Sequence, residues 1–514
     1  MNNSGVRPVS VWFRSVMLLL MTVSLLFPVS AYAEPLRWAS DGTSNVPYTF
    51  HDPSNESRME GFEYDIMQEI GRRLGRETEF VQNDWDGLIP GLQRGFYDMV
   101  IDGIEMTPEH TQALDFSKPY YVTSERIVVR RDQAGLDSFE RLGGHTVGTL
   151  KDTLAERMLR DRPDVTIRSY DEESNAFADL KAGRLDAILL DGPIALYYGE
   201  SDPELRLVGP PIGHLSYGIA FRQGGNVALR QRVDAALAEM TQDGTLHRIL
   251  ARWNLWTPEM AEWSGDHSEP MIEPVEWTRY LAATAPSRGL KARAERYIGF
   301  LPLIFRGALM TLAVSACAMV LAVGLGMFLA LVRRYGPRWS AILAGVYIEV
   351  VRGTPLLIQI LFIFYGLPAI GIRLSPFVAG VLGLGLNYAA YEAENYRAGL
   401  QSVARGQTEA ATALNMTHFQ ALRYVVVPQA FRVVVPVMTN DFISLLKDSS
   451  LVSIITLTEL SQTYVRLSST YFDYFGTGLM VGAAYLLLGL PFVRLAKIAE
   501  KRLSVGERRS SADH

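Results

Sequence analysis

Three charged side chains, Asp441, Lys447 and Asp448, stand inside an otherwise apolar run at about 433–455. Charge at membrane depth is costly, so such residues either serve a solute or pair where helices pack. Pairing of Lys447 with a carboxylate is the simpler expectation. Elsewhere the reactive residue types fail to assemble. The 8 histidines include no His-x-x-x-His metal spacing, and no Ser/His/Asp constellation for acyl transfer is found. No Gly-Lys dipeptide occurs anywhere, so the chain has no phosphate-cradling loop of its own. The single cysteine, Cys317, rules out a disulfide within the chain. A formal net charge of −6 without a basic stripe argues against a nucleic-acid partner.

These residues are distributed over more than one unit, because 514 residues exceed an ordinary single domain. Charges crowd residues 34–300, whereas 301–496 holds several long uncharged runs. Arg7 and Arg14 precede an apolar run from Val16 to Val29, then the small-x-small triplet Ala31-Tyr32-Ala33. This is the pattern of a signal peptide over 1–33, with Glu34 as the mature terminus. An uncleaved anchor helix is the alternative, and either one exports the charged segment downstream. Strand-like segments at Leu36–Ala39, Phe80–Val81, Asp98–Ile101, Thr146–Leu150, Val165–Tyr170 and Ala187–Leu190 alternate with helical ones. The helical segments are Tyr64–Leu74, Trp85–Arg94, Thr153–Leu159, Ser174–Lys181 and Val227–Asp243. Strands separated by helices predict an α/β sheet of βαβ units over 34–256, with ligands at the strands' carboxyl ends.

From 257 to 299 the periodicity fades into a linker, with an interfacial helix expected around Trp277–Tyr297. Beyond it, Arg306 and Arg333, Arg352 and Arg373, Arg373 and Glu392, and Asp473 and Arg494 bracket uncharged runs. Each is close to the roughly 20 residues of a spanning helix, and with the 433–455 run about five such helices are expected over 300–500. If the first domain is exported, Arg333, Arg334, Arg338, Arg352, Arg397, Arg405, Arg423, Arg432 and the basic tail at 501–514 lie inside. Only Arg373 and Arg466 then fall outside, in keeping with the positive-inside bias.

The stretch Gly406-Gln407-Thr408-Glu409-Ala410-Ala411-Thr412-Ala413-Leu414-Asn415 lies between the third and fourth expected spans. It resembles the EAA loop of ABC importer permeases of the polar-amino-acid subfamily. Further matches are Arg352-Gly353-Thr354-Pro355, Ala389-Ala390-Tyr391 with Glu394 and Arg397, and Asn440 with Lys447-Asp448-Ser449-Ser450-Leu451. The resemblance implies an all-α polytopic membrane domain whose loop forms a short coupling helix. Gly406, Glu409, Ala410, Ala411, Leu414 and Asn415 would carry the contact with a separate ABC ATPase dimer. ATP would be used by that partner, with no cofactor on this chain. The family usually has Gly where Asn415 stands, and Asn is the next-best left-handed helix stop. Such importers need two permease subunits, which implies a second copy of this chain as a homodimer.

Residues 36–256 resemble the periplasmic binding proteins for polar amino acids. The carrying residues include Pro47-Tyr48, Gly61-Phe62 with Asp65, Trp85 with Leu88-Ile89-Pro90, Thr107-Pro108-Glu109, Gly183-Arg184-Leu185-Asp186-Ala187, Asp191 and Asp243-Gly244-Thr245. The resemblance implies an α/β bilobed periplasmic binding protein (type II) fold, with two hinge strands and a second lobe at about 125–215. It also implies that Tyr48 or Phe50 and Trp85 flank the ligand, Asp191 pairs with its ammonium and Thr153 helps hold its carboxylate, with Thr107 a further ligand-binding residue. An Arg normally clasps that carboxylate where this chain has His110, and two positions usually small or hydroxylated are Asp102 and Glu105. The expected solute is small and amino-acid-like, either a zwitterion with a cationic tail or an amine lacking a free carboxylate. Together the halves imply an importer in the cytoplasmic membrane, with its binding domain on the extracytoplasmic side. A ligand-gated channel would leave the EAA-like loop without purpose, and a lyase would need a catalytic constellation.

Overall fold

The computed structural model describes residues 34–504 apart from 44, 54, 269–271, 285–289 and 472. The expected leader at 1–33 and the end of the tail lie outside the described residues.

The first sheet has the order β4-β1-β5-β12-β6, with β1 Leu36–Ser40, β4 Thr78–Gln82, β5 Met99–Val100, β6 Leu114–Phe116 and β12 Ala220–Arg222. β1 pairs parallel with β4 and β5, as βαβ crossovers demand. The crossover helix Phe62–Leu74 presents Phe62, Ile66, Met67 and Ile70 at helical spacing to a core that contains Trp38. Gly75, at φ 64°, ends it in the left-handed region. At its other end Gly61 has φ 128°, and a Cβ there would lie 2.0 Å from the Tyr48 carbonyl oxygen. Only glycine lets the two chains approach so closely, and that approach sets Tyr48.

The second sheet, β11-β7-β10-β8-β9, holds β7 Tyr121–Arg130, β8 Thr146–Leu150, β9 Thr166–Tyr170, β10 Ala187–Asp191 and β11 Leu205–Tyr217. β7 and β11 pair antiparallel from Tyr121↔Tyr217 to Leu205↔Arg130 and connect the lobes. Neither strand stands out in the sequence. β7 is buried along nearly its whole length and so lacks alternation. β11 contains Gly209-Pro210-Pro211 and Gly213, which read as a turn. Gly209 and Gly213, at φ 71° and 69°, instead accommodate its two register shifts. A hairpin, β2 Phe50–Asp52 with β3 Asn55–Glu60, completes the first lobe.

The expected linker contains structure. Helices Pro258–Ser264 and Val275–Thr284 fall within it. The second packs on the first lobe through buried Tyr280 and an Arg279–Glu60 ion pair, rather than lying free.

The membrane half begins with Leu290–Tyr335, a helix of 46 residues. At 1.5 Å per residue it is about twice as long as the roughly 30 Å hydrocarbon core requires. Among the described residues three helices are long and apolar enough to cross a membrane, or up to four if a bent pair counts as one span. The expected second span, bracketed by Arg352 and Arg373, is the second arm of a bent pair. Arg338–Gly353 ends at Thr354-Pro355, and the chain turns by 109° into Leu356–Ile370. Pro355 disfavours helical geometry at the residue before it, which forces the break. The expected third span sits in Pro376–Ser402, where Glu392, Glu394 and Arg397 interrupt the apolar surface.

The halves touch through both lobes. Tyr471 Oη donates to the Pro53 carbonyl at 2.7 Å, and Arg373 Nη1 to that of Gly95 at 3.0 Å. Ser469 Oγ donates to the Glu172 carboxylate of the second lobe at 3.2 Å. Phe96 packs on Phe364 with ring centroids 5.5 Å apart.

Candidate functional site

The carboxyl ends of β1, β5, β8 and β10 converge on one cavity between the lobes, the place where an α/β sheet exposes loops and helix starts. Asp102 follows β5 and is 2% exposed. Its Oδ1 accepts from the Asp41 backbone N–H at 3.1 Å, from Asn45 Nδ2 at 2.5 Å and from the Ser40 hydroxyl. Its Oδ2 is buried without a hydrogen-bond partner among the described residues. Burial, with the Asp41 charge adding to it, pushes the Asp102 carboxyl up to about 8.

Glu105 bridges the lobes. Its Oε2 accepts from the Leu154 backbone N–H at 2.7 Å and from Arg157 Nη2 at 3.2 Å, yet burial still raises it to about 8. Asp191, at the end of β10, accepts hydrogen bonds from the Tyr48 and Tyr217 hydroxyls. Tyr217 stacks on Tyr121, its partner across the connecting strands, at 5.8 Å. Trp85 also lines the cavity, its backbone N–H donating to Asp41 Oδ2 at 3.2 Å.

Tyr48, Trp85, Asp102, Glu105, Thr153 and Asp191 therefore meet at one cavity. Thr153 has its hydroxyl committed, donating to the Leu150 carbonyl at 2.8 Å and capping the helix Leu154–Arg160. Phe50 corrects the expectation of a ligand-flanking ring. It is 3% exposed in the core of the first lobe, edge-on to Trp253 and Tyr280 at 5.8 and 5.6 Å. Strand alternation explains this, since β2 turns Phe50 inward. Thr107 is a helix cap, accepting from the His110 backbone N–H at 3.2 Å, and lies outside the cavity lining. His110 is also absent from that lining, with its Nδ1 2.8 Å from the Glu105 carbonyl oxygen. The imidazole thus donates to backbone and is turned away from a ligand.

The sequence reading missed Asp41, Glu125, Asp171 and Glu173, which add four carboxylates to the same cavity. Glu125 and Glu173 are 0% and 5% exposed, and burial raises both. An acidic residue beside the end of each buried strand was the available signal for Asp41. Glu125 lies inside β7, the strand that periodicity could not find.

Far from the cleft, the helix Arg405–Ala413 stands almost bare. Gly406, Glu409 and Ala410 are exposed, and Leu414 is 79% exposed. Ala411 alone of the expected coupling residues is buried, at 3%. Asn415 takes φ 60°, and the Met416 N–H closes on the Ala411 carbonyl at 3.1 Å, a left-handed helix stop. Within the membrane half, Asp441 accepts from Asn395 Nδ2 and Asp448 from the Tyr388 hydroxyl, each at 2.7 Å. Lys447 is exposed and makes no ion pair with either, contrary to the expected pairing. The sequence reading also passed over Glu392, which is 0% exposed one turn before Asn395 on the same helix.

Residues 36–255 match the bacterial extracellular solute-binding proteins, family 3. Residues 322–505 match the binding-protein-dependent transport system inner membrane component. A probable amino-acid ABC transporter permease of Sinorhizobium fredii is 36% identical over 206 residues, covering 40% of this chain and 89% of that protein. A putative glutamine transport system permease of Rickettsia conorii is 35% identical, covering 41% and 99%. The ABC transporter arginine-binding protein 1 of Escherichia coli is 30% identical, covering 47% and 98%. Among solved structures, an ancestral arginine-binding protein bound to arginine aligns with 35% identity and a TM-score of 0.40, over 43% of this chain and 99% of that one.

Proposed function

Because the chain belongs to the amino-acid ABC transporters, with a solute-binding domain fused to a permease, we propose that it captures a polar amino acid or related amine and imports it using ATP hydrolysed by a separate subunit. The binding domain, taken as 34–256, works on the extracytoplasmic side of the cytoplasmic membrane. The permease domain, 300–500, forms the path, as a pair of identical copies. A leader at 1–33 exports the binding domain. The relatives named for glutamine and arginine support a solute of that size and polarity.

The observation that carries this reading is the exposed helix Arg405–Ala413 with Leu414 beyond it. A short helix with small side chains and a bare leucine offers a partner a close-fitting knob, and a rigid one, because its stop is locked by Asn415. Closure of an ATPase dimer on two such helices moves the spans to which they are joined. Tyr48, Trp85 and Asp191 hold the solute in the cleft, and Asp191 receives its ammonium. The test is reconstitution of the full chain with its ATPase in vesicles. ATP-dependent accumulation of labelled solute is expected, and accumulation without ATP, or a passive current, overturns it.

A further inference from the structure

Resting on that reading, we propose that the cleft selects a small amine with two cationic groups and no carboxylate, a decarboxylated basic amino acid in chemical class. No Lys, Arg or His lines the cavity among the described residues. Glu105 is met from outside the lining by Arg157, and Asp171 by Lys151. Asp41, Asp102, Glu125, Glu173 and Asp191 have no ion-pair partner among the described residues, although hydroxyl, amide and backbone donors meet several of them. A carboxylate entering this space meets acidic side chains and no cation to receive it. Buried charge without a partner is costly, so the site discriminates against it.

The uncompensated carboxylates come from both lobes. Asp41 and Asp102 belong to the first, and Glu125, Glu173 and Asp191 to the second. A ligand positive at both ends therefore draws the lobes together, whereas a single ammonium neutralises one side alone. Asp102 lines this space, and its Oδ2 is buried without a hydrogen-bond partner among the described residues. Trp85 and Tyr48 add aromatic surface suited to an alkylammonium. The cavity measures about 50 Å³.

The sign persists toward the membrane. Asp41, Trp85 and Asp171 also line a second cavity, which Asp84 and Glu172 extend to Tyr365 and Gln462 of the membrane half. Arg94 is the one cation in that lining, and it sits over the Tyr365 ring at 5.4 Å. Elsewhere in the membrane half, buried Glu392 and half-buried Asp441 have no ion-pair partner among the described residues.

The test uses the full chain in lipid nanodiscs and titration calorimetry with matched pairs that differ only in the carboxylate. These are L-lysine against 1,5-diaminopentane, and L-arginine against 1-amino-4-guanidinobutane. The amine of at least one pair is expected to bind ten-fold or more tighter than its amino acid, and Asp102→Asn to weaken that amine about ten-fold. An amino acid equal to or tighter than its amine in both pairs overturns the inference and leaves the import reading standing. Binding of neither series overturns the inference too, and then ATP-driven uptake of a wider solute panel shows whether the import reading also fails. The wild-type comparison decides even if the variant does not fold.

Discussion

The cleft between the lobes and the helix Arg405–Ala413 handle their polar and apolar groups in opposite ways. The cleft encloses acidic side chains and leaves most of them without a cationic partner among the described residues. The helix leaves Leu414 in the open and buries only Ala411. In each case one interaction is left unfinished, and the missing partner has the complementary character: a cation for the cleft, a close-fitting protein groove for the helix. Each region should therefore fail alone when mutated.

The largest effect is expected from Asp191→Ala. It removes the carboxylate bound by two tyrosine hydroxyls and should weaken solute binding by about a hundred-fold or more, since breaking a buried charge pair costs roughly 3–5 kcal/mol. ATPase association, read by co-purification, should be unchanged. Loss of that association would erase the contrast between the two regions. The reciprocal variant is Leu414→Asp, which should cut ATP-dependent uptake by about ten-fold or more while solute affinity measured by calorimetry stays within about two-fold. A parallel loss of affinity would mean that the helix supports the cleft.

Protonation sharpens the comparison, because burial brings carboxyl groups of the cleft to titrate near neutrality. Asp102 and Glu105 keep their protons up to about 8 in the folded chain. In the unfolded chain they lose them near ~4. Between those values the folded state binds more protons, so stability of the empty binding domain should fall as pH rises from about 4 to about 8. Affinity for a cationic solute should rise over the same window, with proton release detected as buffer-dependent heat. An unfolding midpoint that climbs with pH would contradict the assignment.

Two residues separate packing from recognition. Phe50→Ala should destabilise the first lobe by about 3–5 kcal/mol, read by denaturant unfolding, without changing the preference among solutes. The smallest effect belongs to His110→Ala, whose solute affinity is expected to stay within about two-fold of the wild type at each pH from 5.5 to 8. A larger change would return His110 to the cleft.

How much was legible varied with the kind of signal. Helix Phe62–Leu74 and strand β8 follow from local periodicity, and the chain keeps those patterns where both neighbours are sequence-local. The connecting strands β7 and β11 were hidden because one is buried along nearly its whole length and the other carries turn-like Gly and Pro at its bulges. Tyr48, Trp85, Asp102, Glu105, Thr153 and Asp191 were all legible as cavity residues, yet neither the diversion of Phe50 and His110 nor the addition of Asp41, Glu125 and Glu173 was visible. Those outcomes depend on which face of a strand or turn points across to the other lobe, a distance of many residues along the chain.

Residue types and their order alone settle that a charged α/β half precedes an apolar helical half, and the resemblance to the EAA loop implies a short helix near Glu409. Those properties are local, governed by hydropathy, periodicity and the conformational tolerance of single residues. The folded arrangement alone collects carboxylates from both lobes around one cavity and turns the only histidine expected there into a backbone donor. Charge density in a cleft is a sum over groups brought together from distant positions, and no stretch of sequence contains that sum.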